Sequence, residues 1–303
     1  MTPSPAIDIH QHLWPPELID ALRSRSTAPR LDGWTLLLDG EPDYQVNPSD
    51  HDPERRRGLE NTRIVLGLSS PLGIEDLPPA QAAPLLAAWH DGVARLRPDF
   101  EAWAAVSRID PDGGDLAKRL ADGFVGLQIP ATWLATPAAL DRLADTLAVA
   151  AAADRPVFVH PGPAAPIDAT LVRDDSRPAW WAAVVDYPSQ LSAAWWSWHA
   201  VGRSQFPDLR ICFAAGAGLA PVHHERYLAR GGRPLVVDQH TFIDTSSYSR
   251  QGVDSLIRVL GVDPIVIGSD RPYGTAFQTD QGDAAATAFR YTNPLRLLEG
   301  TRT

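Results

Sequence analysis

The sequence predicts an α/β chain folded as one closed (β/α)8 TIM barrel, and three observations carry that prediction. Short apolar, β-branched runs alternate with longer stretches rich in Ala, Leu and Arg, as strands followed by crossover helices would. Eight such runs occur, more than a doubly wound open sheet usually needs. The length, 303 residues with 44% hydrophobic content, is close to the upper size for a single core and suits a barrel. No repeat, low-complexity tract or linker divides the chain, so residues 1–303 read as one domain.

In order, the strands are expected at Ala6–Gln11, Arg63–Leu68, Ala102–Val106, Phe124–Ile129, Pro156–His160, Leu209–Ala214, Thr241–Asp244 and Pro264–Gly268. Helices are expected at Ala80–Arg97, Pro137–Ala153, Pro178–Ser204, Pro221–Ala229, Val253–Leu260 and Asp280–Arg290. Proline opens several of them, where its fixed φ and missing donor cost nothing. One departure from the alternation is Arg30–Asn47. There Trp34–Leu38, an Asp39-Gly40 turn signal and Tyr44–Val46 read as a small hairpin inserted after the first strand and helix.

Charge and composition exclude some partners. A formal net charge of −10 repels nucleic acid, and Arg55, Arg56 and Arg57, beside Asp52 and Glu54, make no basic tract. No apolar stretch approaches the length of a bilayer span, so no membrane partner is expected. Met1–Ile7 has neither a basic segment nor an apolar run, and no signal peptide is read there. Cys212, the only cysteine, forms no intrachain disulfide, and a cytoplasmic location is the expectation. A small-molecule substrate and a homodimer complete the expected partners, the dimer on base rates and a tryptophan-rich helix.

The chemistry starts from Asp8-Ile9-His10-Gln11-His12. Alternate residues of a strand share a face, so His10 and His12 point the same way and make half of a metal site. Alone, the pair reads equally as two histidines that merely hydrogen-bond. Val157-Phe158-Val159-His160 puts another histidine where an apolar strand stops, and Ile265-Val266-Ile267-Gly268-Ser269-Asp270 does the same with a carboxylate. Taken singly, His160 is also readable as a packed structural histidine and Asp270 as a cap. In a barrel, however, residues at strand C-termini converge on one mouth, so strands one, five and eight together supply three histidines and one aspartate for one divalent ion. Such a set suits zinc, manganese, iron or cobalt; zinc is the first expectation and manganese the second.

These segments resemble the amidohydrolase-related family that includes aminocarboxymuconate semialdehyde decarboxylase, resorcylate-type decarboxylases and dicarboxylate lactonases. The matching pieces are IDIHQHLWP, VFVHPGP, FPDLRICFAAGAGLAP, FIDTSSY, IGSDRPYG and TNPLRLL, which span nearly the whole chain in the right order. The resemblance implies a metal-dependent barrel enzyme with His10, His12, His160 and Asp270 as ligands and Asp270 as a proton carrier.

Two departures bear on the reaction. Strand six of that family commonly ends in AHGGG; here Ala215 stands at the histidine position, and a methyl group neither accepts a proton nor steadies an oxyanion. His223, His224 or His199 could substitute, Asp270 could act alone, or catalysis could be lost. Asp270 alone is preferred, because His223 and His224 fall some two helical turns past the strand. Secondly, no lysine stands on strand four to bridge two metals: Lys118, the only lysine, precedes it. A mononuclear site is expected.

The leading functional expectation is a hydrolase that attacks an ester, lactone or amide with metal-activated water, Asp270 taking the proton. Nonoxidative decarboxylation of an aromatic or unsaturated carboxylic acid is the alternative, and a catalytically silent small-molecule-binding barrel the third reading. Trp14, just after the histidine pair, and Arg271, next to Asp270, are candidate substrate-binding residues; Arg271 reads equally as a clamp for a carboxylate or as a surface ion pair. Trp180, Trp181, Trp195, Trp196 and Trp198 read as packing first and as a substrate wall second. His51, His90 and His240 read as surface or packing residues.

Overall fold

The structure, a computed structural model, describes residues 5–39, 41–57, 62–164, 178–234, 238–275 and 280–300. Its first strand is β1 (Ala6–Gln11). Three short strands follow, β2 (Arg30–Asp32), β3 (Thr35–Leu37) and β4 (Tyr44–Gln45), then β5 (Thr62–Leu66) and β6 (Glu101–Ala102). The second half supplies β7 (Leu127–Pro130), β8 (Val157–His160), β9 (Ile211–Phe213), β10 (Thr241–Asp244) and β11 (Ile265–Val266).

Two parallel ladders, β1-β5-β6 and β7-β8-β9-β10-β11, close into one barrel. Between β6 and β7, the Ala104 N–H donates to the Gly126 carbonyl at 2.8 Å and the Gln128 N–H to the Ala104 carbonyl at 2.7 Å. At the other seam, Ile9 N–H donates to the Ile267 carbonyl at 3.0 Å and Asp270 N–H to the His10 carbonyl at 2.9 Å. Closure leaves no open edge on the barrel. β2, β3 and β4 form a separate antiparallel sheet, one strand more than the expected hairpin. Gly40 of the expected turn lies outside the described residues.

β1 and β10 have the bounds expected, and the other six barrel strands are shorter than expected at one or both ends. The expected strand Phe124–Ile129 has its ladder only from Leu127, although Val125 N–H still reaches the Ala102 carbonyl at 3.0 Å. Among the helices, Pro137–Ala153 divides into a 3-10 turn, Pro137–Arg142, and an α-helix, Ala144–Ala152. The C-terminal helix also runs on past Arg290, through a π-turn at Ala288–Thr292, to Glu299.

The helix expected at Pro221–Ala229 is α-helical only over His224–Leu228. The cause lies upstream. Ala215, Gly216, Ala217, Gly218 and Leu219 all have positive φ, from 44° to 61°, so the chain leaves β9 in a left-handed turn. That conformation costs roughly 1–2 kcal/mol for each residue with a side chain. Packing imposes it: a Cβ on Gly218 would stand 2.3 Å from the Pro188 carbonyl, so the turn lies hard against the long helix after β8.

That long helix runs from Trp181 to Gln205, with π-turns at Ala182–Asp186 and Trp198–Gly202. Trp195 and Trp198 are fully buried, and Trp195 meets the Phe213 ring of β9 edge-on at 5.3 Å. These two tryptophans seal the helix to the barrel, whereas Trp180 is 55% exposed. No helix among the described residues is long and apolar enough to cross a membrane.

Candidate metal centre

His10 lies near the end of β1 and His12 just past it; the register of β1 against β5 slips between Asp8 and Gln11. His160 is the last residue of β8, and Asp270 stands a short step past β11 with φ of 55°. One ligating atom from each lies within 4.8 Å of the other three, and the three imidazole centroids are 4.9–5.0 Å apart. The rings are buried, and the Asp270 side chain keeps 20% of its surface exposed.

Hydrogen bonds on the outer ring nitrogens set the tautomers. Nδ1 of His10 meets Asp244 Oδ2 at 2.7 Å, Nδ1 of His12 meets the Gly67 carbonyl at 2.9 Å, and Nδ1 of His160 meets the Pro161 carbonyl at 2.8 Å. Each partner accepts only, so each Nδ1 carries the hydrogen and each Nε2 turns a bare lone pair inward. His10 and His12 Nε2 stand 3.1 Å apart, and Asp270 Oδ1 is 3.4 Å and 3.1 Å from them. Lone pairs converging on one point repel unless a cation lies among them. The residues therefore fit one divalent ion, held by three imidazole nitrogens and a carboxylate.

The electrostatics agree. Burial pushes the His10 imidazole down, but the Asp244 carboxylate, with Asp270 and Asp8 behind it, more than reverses this. Surroundings that favour a proton there favour a metal cation as well. Burial, followed by the neighbouring His10 and His12, holds His160 well below the usual imidazole range. Burial alone would raise Asp270; the neighbouring His12, followed by His10 and His160, holds it below the ordinary carboxylate range.

Two aspartates that the sequence reading gave no role support the cluster. Asp244, the last residue of β10, is fully buried; its Oδ1 accepts from Ala215 N at 2.7 Å, Ser246 N at 2.9 Å and Ser246 Oγ at 2.6 Å. Asp8 accepts from His10 N at 3.2 Å, Ser269 N at 3.0 Å and Gln11 Nε2 at 2.7 Å, and so ties β1 to the loop bearing Asp270. The strand-end rule that picked out His160 applies equally to Asp244. Gly268 is required here: a Cβ would fall 2.6 Å from Asp244 Oδ2 and 2.9 Å from His10 Cβ.

Above the cluster opens a cavity of about 350 Å³ with mostly apolar walls. Trp14 forms part of its wall, fixed by Nε1 donation to Ser69 Oγ at 3.0 Å and by stacking on His51 at 4.3 Å. Arg271 is not among the described lining residues; its carbonyl takes the His12 N–H and helps to close the barrel. Ala215 lines the cavity. The three histidines of the cluster are the only histidines among the described lining residues. His223 is exposed, His224 half-buried, and His199 packs on Trp195 at 4.3 Å, with burial pushing it down to about 4. No histidine thus replaces the one expected at Ala215. His51 and His90 are packing residues, both buried, and His240 is half-buried.

A closed parallel barrel with a three-histidine, one-aspartate cluster at the C-terminal mouth defines the class of architecture. No protein-family model matches the chain, and no curated protein does. Solved structures do share the fold. IDCase of Metarhizium anisopliae aligns with a TM-score of 0.75 at 18% identity, over 97% of each chain. For 2,6-dihydroxybenzoate decarboxylase from Rhizobium the TM-score is 0.68 at 19% identity, over 98% of this chain and 99% of that one. For 5-carboxyvanillate decarboxylase from Novosphingobium aromaticivorans, solved with manganese and 4-hydroxy-3-methoxy-5-nitrobenzoic acid, it is 0.70 at 17%, over 97% and 96%. At such identities the likeness establishes a common fold across the whole chain.

Proposed function

We propose that this chain is a mononuclear metal-dependent enzyme of the amidohydrolase-related family that releases carbon dioxide from a small planar carboxylic acid. The observation that carries the reading is the convergence of three bare Nε2 atoms and the Asp270 carboxylate beneath an apolar cavity. Two of the solved structures sharing this fold are decarboxylases of hydroxylated benzoates, which favours decarboxylation over the hydrolysis expected first from the sequence. Manganese, present in one of them, becomes as good a candidate as zinc.

His10, His12, His160 and Asp270 would hold the ion, which when bound supplies a Lewis acid that orients and neutralises a substrate oxygen. Asp270, open to the cavity, takes a proton from solvent or from the substrate and delivers it to the carbon as the C–C bond to the carboxylate breaks. Trp14 and the leucines of the wall exclude water from that carbon.

Hydrolysis remains a second reading, favoured by Ala215: with no histidine beside the ligands, Asp270 alone takes the proton of the attacking water. A panel of hydroxybenzoates, esters and lactones, offered to manganese- and zinc-loaded protein with bicarbonate release and ester loss followed together, separates the two. Bicarbonate release supports the proposal. Ester or lactone cleavage without bicarbonate establishes the second reading, and binding without turnover would leave a silent barrel.

A further inference from the structure

The metal cluster is one polar pole of the cavity; a second lies outside the barrel strands. Glu41, between β3 and β4, lines the cavity half-buried, and Tyr187 of the long helix donates its hydroxyl to Glu41 Oε1 at 3.1 Å. The Ala164 backbone N–H, after β8, donates to the same carboxylate. One side chain of the small sheet is thus pinned from two directions against the barrel. A carboxylate offers about four lone-pair sites and these partners use two, so acceptor capacity is left over.

Among the described residues that line the cavity near this pole, charge has one sign. Glu41, Asp43 and Asp270 line the cavity, while no lysine or arginine is among its described lining residues. Asp186, one residue before Tyr187, adds a further negative charge near Glu41, and burial followed by that neighbour raises the Glu41 carboxyl above its usual range. Between the two poles the wall is apolar, with Leu36, Leu38, Leu72 and Leu191. A flat apolar body fits that wall. What its far end carries is decided at Glu41: a hydroxyl or amino group finds an acceptor, whereas a second carboxylate meets like charge that no lysine or arginine among the described lining residues offsets.

We propose that Glu41, positioned by Tyr187, is a specificity-determining residue that selects planar monocarboxylic acids bearing a hydroxyl or amino group and rejects dicarboxylic acids. The inference rests on the metal-dependent reading above, since the ion is taken to hold the first carboxylate.

The test uses manganese-loaded full-length protein, with metal content measured on each preparation. Binding of 3- and 4-hydroxybenzoate, 3- and 4-aminobenzoate, isophthalate and terephthalate is followed by calorimetry for the wild type, Glu41→Gln and Tyr187→Phe. Wild type should prefer the best hydroxy- or aminobenzoate over either dicarboxylate by about tenfold or more. Glu41→Gln, which keeps the shape and removes the charge, should cut that ratio by about tenfold, mainly through tighter dicarboxylate binding. Tyr187→Phe should lower the ratio less. An unchanged ratio in Glu41→Gln overturns the proposal while leaving the metal reading intact. So does a wild type that takes up metal and binds none of the six probes. Protein that takes up no manganese or zinc overturns the metal reading itself.

Discussion

Replacing Asp244 by asparagine removes one charge and adds one hydrogen-bond donor at a site where nothing else need move. The direction of the new amide is dictated by its surroundings. Three donors, Ala215 N, Ser246 N and Ser246 Oγ, converge on Oδ1 within 2.6–2.9 Å, so the amide oxygen must stay there. The amide nitrogen is then forced into the Oδ2 place, 2.7 Å from His10 Nδ1. Two donors cannot share that contact, and His10 relieves it by moving its hydrogen to Nε2, the atom that faces the centre of the cluster. The ligand is lost without any loss of side-chain volume. Disrupting such an outer partner costs about 10- to 100-fold in metal affinity, or about 1.4–2.7 kcal/mol. Because the wrong tautomer is enforced here, the upper end is expected. Competition of manganese or zinc against a chelating dye, with circular dichroism to establish that the fold persists, reads the change. Wild-type affinity in a folded Asp244→Asn protein would refute the assignment of His10 Nε2 as a ligand atom.

Other perturbations test separate parts of the account. Asp270→Asn should abolish turnover, measured as bicarbonate release, while the protein stays folded; retained full activity would remove Asp270 as the proton carrier. Glu75 is fully buried, accepts from Ser70 Oγ at 2.5 Å, and burial pushes its carboxyl up to about 8. Its folded pKa lies above the unfolded value near 4.5, so its contribution to stability is fully present at pH below 4.5 and is lost as pH rises through about 8. Glu75→Gln should therefore gain stability relative to wild type between pH 5 and pH 8, by on the order of a few kcal/mol at most; denaturant melts giving a pH-independent difference would exclude the buried acid. At Gly126, a Cβ would stand 2.3 Å from the Pro156 carbonyl and 2.6 Å from the Trp103 ring. Gly126→Ala should then cost about 1–3 kcal/mol of stability in the same melts, and no loss would mean that the β7 seam is looser than described.

The barrel and the four residues of the cluster were legible because both follow from periodicity. Apolar runs that stop at a histidine or a carboxylate mark strand C-termini, and the closed sheet brings His10, His12, His160 and Asp270 to one mouth whatever the intervening loops do. The supporting groups were less visible. Asp244 ends its strand as His160 does, yet the sequence reading gave it no role. Its bond to His10 joins residues 234 positions apart, which no local pattern reveals. The same holds for Glu41 and Tyr187, 146 positions apart, whose meeting depends on where the small sheet and the long helix pack. The left-handed turn of Ala215–Leu219 was hidden for another reason. Alanine and leucine carry no preference for positive φ, so the segment read as leading into an α-helix at Pro221. Arg271 shows the opposite limit: although it follows Asp270 in sequence, it is not among the described residues that line the cavity.

The most direct measurement is the metal content of protein purified without chelators or a polyhistidine tag, beside a His10→Ala/His12→Ala double variant. The account predicts a single equivalent of manganese or zinc in the wild type, lost in the variant while the fold is retained. A wild type that carries no metal and takes up none on titration would contradict the account at its centre.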